Sequence, residues 1–192
     1  MWRTGVIAAC SCALAASSLV AGAAAPGTAA ASAPPVTWAT WITRDVQIPL
    51  QNLPKAYSCD DLWYKLRGIL LAIGARQYMS IMPYNCGSNA PGGGRSPTLD
   101  LKFQTLRVLT GADTRWAQTK AERKTVRLGP GEPKILDSSD CALVSQLSGT
   151  LFSYLNLHVV TSDLECSPPP SARKFGIAVD TVIALPTGRS PA

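Results

Sequence analysis

The stretch from Cys59 to Cys86, CDDLWYKLRGILLAIGARQYMSIMPYNC, decides the fold: one cysteine opens a helical pattern and another closes a strand pattern. Leu62, Leu66, Ile69, Leu70 and Ile73 recur at helical spacing and make one apolar stripe, with Lys65 and Arg67 off it. Ser58 and Asp61 form an S-x-x-D start that satisfies orphan N–H groups, and Asp60 and Asp61 put negative charge at the positive end of the helix dipole. Adjacent helical residues point about 100° apart, so these acids are read as helix-start residues and not as a catalytic pair. Gly74 is placed to end the helix in the left-handed region that a side chain disfavours. Gln77 to Met82 then reads as a strand, closed by Pro83 and Cys86.

A second stretch repeats this order. Cys141 to Cys166 reads CALVSQLSGTLFSYLNLHVVTSDLEC, with cap candidates Ser138, Ser139 and Asp140 before it. Val144, Leu147, Leu151 and Leu155 make the stripe, Asn156 stands where Gly74 stood, and Leu157 to Leu164 reads as the strand. Pro54-Lys55 before the first helix is answered by Pro133-Lys134 before the second.

Outward from these stretches lie further strands. Val36 to Leu50 alternates through Val36, Trp38, Ile42, Val46, Ile48 and Leu50, as one half-buried strand or two short ones. Leu99, Leu101 and Phe103 alternate with Asp100, Lys102 and Gln104 in a strand reaching Leu109. Phe175, Ile177, Val179 and Thr181 match Leu99, Leu101, Phe103 and Thr105 position for position. Thr110 to Asp113 reads as a tight turn into a polar, basic stretch, with a strand only at Val126 to Leu128. The Gly-rich segment GSNAPGGGRSP, from Gly87 to Pro97, lacks the Lys-Ser/Thr of a phosphate loop and serves as a connector.

The pattern predicts an α+β fold from a duplicated βαββ unit: a mostly antiparallel sheet with two helices packed on one face and two disulfides. Its units are residues 36–113 and 114–185, sharing one sheet through the Thr110–Asp113 turn; two separate three-stranded modules are the alternative. A helix of about 22 Å followed by a returning strand of similar length brings the helix start beside the strand end. Cys59 is therefore expected to pair with Cys86, and Cys141 with Cys166. A four-cysteine zinc site would need closely spaced pairs, which are lacking.

The chain begins with Arg3, an Ala-rich apolar run and the small residues Ala21-Gly22-Ala23, the form of a cleaved secretory signal over residues 1–25. A retained anchor and a lipobox at Cys10 are the weaker alternatives. Cleavage removes Cys10 and Cys12 and leaves an even set of cysteines for an oxidising compartment, periplasmic or secreted. Residues 26–35, PGTAAASAPP, read as a linker and residues 186–192 as a disordered tail. No further segment is long and apolar enough to span a membrane.

Formal net charge is +6, and most of that excess is local. Lys102, Arg107, Arg115, Lys120, Arg123, Lys124 and Arg127 stand against only Asp113 and Glu122 in one window. Lys120, Arg123, Lys124 and Arg127 are thus the candidate contacts for an anionic polymer, lipid surface or acidic partner. The competing role is an edge strand defended by lysines. His158 is the only histidine, in a strand pattern with no nucleophile set beside it. No metal set and no cofactor loop is visible, and the stacking aromatics of an RNA platform are lacking. What remains is an exported, non-catalytic binding or adaptor protein of the cell envelope, with open strand edges for a partner. A small secreted enzyme with an unrecognised site is the alternative.

Overall fold

A computed structural model describes residues 36–87, 96–111, 117–166 and 175–186. The leader, the 26–35 linker, most of the Gly-rich connector, part of the turn after Thr110 and the tail lie outside these residues. In chain order the elements are β1 (Val36–Pro49), α1 (Cys59–Ala72), β2 (Ser80–Tyr84), β3 (Thr98–Val108), β4 (Thr119–Leu128), α2 (Cys141–Leu147), β5 (His158–Asp163) and β6 (Gly176–Ala184). A 3-10 turn over Ser138–Asp140 leads into α2, and a π-helical turn over Ser148–Phe152 continues it.

The strands form one six-stranded sheet in the order β2-β3-β1-β4-β6-β5. Every pairing is antiparallel. Within each half of the chain the first strand lies inside, the third next to it and the second at the rim. The halves meet through β1 and β4, which pair only over Val36–Ala39 and Thr119–Glu122.

One face of this sheet carries the core. Ile48 lies opposite Leu99 and Val46 opposite Leu101, while Leu128 faces Ile177 and Val126 faces Val179. These side chains join Leu62, Leu66, Ile69 and Leu70 of α1 and Leu143, Val144 and Leu147 of α2 in one continuous apolar cluster. Each such fully buried side chain contributes roughly 1.5–3 kcal/mol by removal from water.

The start of α1 and the far ends of both helical stretches are as their sequences predict, whereas before α2 the cap is Asp137, which accepts the Ser139 N–H at 2.7 Å, in place of Ser138, Ser139 or Asp140. Ser58 accepts the Asp61 N–H at 3.0 Å and caps α1. At the far end Gly74 takes φ +87°, with Ala75 N–H donating to Leu70 and Gly74 N–H to Leu71. Asn156 takes φ +52°, with Leu157 N–H donating to Phe152 and Asn156 N–H to Ser153. The same doubly bonded cap thus closes both helical stretches. The return strands bring Cys86 and Cys166 back to the helix starts: Cα atoms are 5.2 Å apart in Cys59–Cys86 and 5.4 Å in Cys141–Cys166.

Four further expectations need correction. The strand expected at Gln77–Met82 is β2 at Ser80–Tyr84, because Arg76 N–H still donates to Gln104 while the chain leaves the helix. The basic stretch is not a link with a strand only at its end; it is β4 itself from Thr119 onward. The turn after Thr110 does not join neighbouring strands, since β1 lies between β3 and β4. Lys65, placed off the apolar stripe, is only 3% exposed.

Lys65 belongs to a buried charge cluster that ties α1 to the chain entering α2. Its ammonium donates to Asp140 at 2.7 Å, to Asp137 at 3.3 Å and to the Ile135 carbonyl at 3.1 Å. Asp140 is fully buried, lies 3.1 Å from the Lys55 ammonium and accepts the Tyr57 hydroxyl at 3.0 Å. Burial alone would lower the Lys65 pKa; the hydrogen bond to Asp140 and the charges of Asp140, Asp61 and Asp137 outweigh it and hold it above its ordinary value. Burial and the nearby carboxylates push the Tyr57 hydroxyl strongly upward. Every charge in the cluster has a partner within it, so its role is to lock the two halves together.

Candidate functional site

Where β1 and β4 part after their short pairing, the ends of both helical stretches, the last residues of β3 and the middle of β6 enclose a cleft of about 450 Å³. β1 supplies Arg44, β3 supplies Arg107, β4 supplies Arg123, β5 supplies His158 and β6 supplies Asp180. Aliphatic wall comes from Ile73 at the end of α1 and from Leu155 and Leu157 around Asn156. Among the described residues the lining therefore carries three arginines against one carboxylate. The size lies within the range of small-molecule sites.

Arg44, Asp180 and Thr181 are each held by a specific neighbour. Arg44 stands on the core-facing side of β1, yet its Nε donates to Thr105 Oγ1 at 3.3 Å and its guanidinium lies 5.7 Å from the Tyr154 ring centre. Among the described residues its two terminal nitrogens make no hydrogen bond. Thr125 donates to Asp180 Oδ1 at 2.6 Å, and His158 Nδ1 lies 3.4 Å from Asp180 Oδ2. The Thr125 hydrogen bond, with His158 and the Arg123 charge behind it, outweighs desolvation and draws the Asp180 pKa below its ordinary value, so it is ionised at neutral pH. Thr181 Oγ1 donates to the Ile73 carbonyl at 2.6 Å and fixes the end of α1 against β6.

The four basic residues singled out in the sequence do not form one patch. All are exposed, and strand alternation sends Arg123 and Arg127 to one face and Lys120 and Lys124 to the other. Arg123 enters the cleft; Arg127 lines a separate groove beside Gly176 and Ala178; Lys120 sits over Trp38 at 5.7 Å. Nor is β4 an edge strand: it lies between β1 and β6, although only β6 pairs it from Arg123 onward. The open edges are β2 and β5.

Arg44 and Asp180 escaped the sequence reading. An arginine in an apolar alternation, between Ile42 and Val46, was the available signal for the first. Asp180, opposite His158 across β5 and β6, had none, since that pairing is a matter of register. Among the described residues, no three His, Cys, Asp or Glu side chains gather as a metal site requires, and no helix is long and apolar enough to cross a membrane. Compared with known protein families, curated proteins and solved structures, the chain matches none.

Proposed function

We propose that the protein is an exported, non-catalytic binding protein of the cell envelope, and that the cleft between its halves takes an anionic ligand. The observation that carries this reading is the convergence of Arg44, Arg107 and Arg123 on one cleft, where Asp180 is the sole lining carboxylate among the described residues. A charge-assisted hydrogen bond contributes about 1.5–3 kcal/mol, enough to make each arginine visible in affinity. Thr105 Oγ1 accepts from Arg44 and Thr181 Oγ1 donates to the Ile73 carbonyl, so both threonine hydroxyls of the cleft are engaged in structural bonds, which supports binding over catalysis. The leader pattern and two disulfides support export to a periplasmic or extracellular compartment. Matching strand order in the two halves, with matching helix caps and cysteine pairs, supports a duplicated βαββ unit.

Calorimetric titration of the mature protein with inorganic phosphate, at low and physiological salt, tests the reading. Arg44→Ala and Arg123→Ala are each expected to weaken binding about tenfold or more, a change of roughly 1.4 kcal/mol. Reversing Lys120 and Lys124, on the other face of β4, is expected to leave it unchanged. Equal effects from both pairs would assign binding to general surface charge, and no binding by the parent protein would end the proposal.

A further inference from the structure

Resting on the anion-cleft reading, we infer that the ligand is an anionic sugar: a polyol bearing one carboxylate or phosphate. The cleft has two chemically distinct sides. Arg44 and Arg123 offer guanidinium donors, which suit an acid group. Asp180 offers the opposite. Its oxygens take one bond each, from Thr125 and from His158, and a carboxylate has about four acceptor sites. An ionised carboxylate in an anion-binding cleft repels a bare anion. It is useful only where the ligand also brings hydroxyl donors.

Neighbouring groups extend this acceptor side. The Asn156 side chain, carried at the cleft on a positive-φ backbone, makes no hydrogen bond among the described residues. His158 turns Nδ1 to Asp180 at 3.4 Å, which leaves its other ring nitrogen to meet a further hydroxyl. Ile73, Leu155, Leu157 and Val182 give aliphatic surface for the C–H face of a ring. Among the described residues no phenylalanine, tyrosine or tryptophan lines the cleft, so a nucleobase would have only the His158 imidazole or an arginine plane to stack on.

Calorimetry of the mature protein with D-glucuronate and glucose 1-phosphate, against acetate, inorganic phosphate and glucose, tests the assignment. At least one sugar acid is expected to bind about tenfold tighter than its matching simple anion and than glucose; which one does so separates carboxylate from phosphate ligands. Asp180→Asn gives opposite signs. Loss of the negative charge should leave the simple anions bound equally or more tightly, while the advantage of the sugar acid disappears. A general loss of structure would weaken all ligands together. If simple anions bind as tightly as sugar acids, the inference falls and the anion cleft stands. If glucose alone matches the sugar acids, or if no anion binds, both fall.

Discussion

At the scale of single residues, the cluster around Lys65 and Asp140 is where the fold is most exposed to change. Both side chains are out of water, and each satisfies the other's charge. Removing one partner of such a pair typically costs 3–5 kcal/mol, because the other is left buried and unpaired. Asp140→Ala is therefore expected to lower stability by about 3 kcal/mol in urea unfolding. Adding Lys65→Met should then cost less than that change does alone in the parent protein, since the orphaned ammonium is gone. Simple additivity would show that the two do not act as a unit. The same cluster sets a pH dependence. Burial raises the Asp137 pKa, but its bonds from Ser139 and the charges of Lys55 and Lys65 outweigh that and bring it from 3.8 to about 2. A depressed carboxylate stabilises the fold above its unfolded value, and that contribution is lost as pH falls from 3.8 towards 2. The raised Lys65 works the other way: its contribution is complete below 10.5 and fades only as pH climbs beyond that. Thermal melts should thus hold level through neutrality and drop in acid below about pH 4. Replacing Asp137 by Asn should flatten the part of that acid limb due to this group.

At the scale of elements, the two helix ends use one geometry and differ in how tightly the surroundings close on it. A Cβ at Gly74 would meet the Val182 carbonyl oxygen at 2.7 Å and Ile183 Cγ2 at 3.0 Å, on a backbone at φ +87°. Gly74→Ala is expected to cost well over 1 kcal/mol, since left-handed backbone and a backbone clash add. Asn156, in the same conformation, already carries a side chain. Asn156→Gly should be neutral or stabilising by up to about 1 kcal/mol. Denaturant midpoints of the two variants compare them directly; a Gly74→Ala protein as stable as the parent would mean that α1 does not abut β6 as described.

At the scale of the whole molecule, the architecture brings polar side chains from five strands to one place. The basic window that dominates the sequence is divided by strand alternation, and one of its four singled-out residues, Arg123, reaches the cleft beside an arginine from β1 and one from β3. The proposed export is tested at the same scale. The mature protein is expected to begin near Ala24 or Ala25 and to carry no free thiol. Intact mass and thiol titration of the unfolded, unreduced protein check both. A mass that retains the first 23 residues, or two or more titratable thiols, would overturn it.

The sequence by itself determined the elements that depend on near neighbours. Helical and alternating periods placed α1, the apolar stripe running from α2 to Leu155, β3 and β6. Gly74 and Asn156 marked the helix ends, and element lengths alone brought Cys59 to Cys86 and Cys141 to Cys166. Local chemistry suffices there, because caps, periods and out-and-back lengths are set within a few tens of residues. Only the tertiary structure decided the rest. Lys65 reads as a surface lysine until Asp140, from the other half of the chain, comes within 2.7 Å of it. β4 reads as a charged link because the face that carries Val126 and Leu128 continues through Lys124, Glu122 and Lys120. Arg44, Arg123, His158 and Asp180 meet because β1 and β4 pair briefly and then diverge, and no local pattern encodes where two strands part.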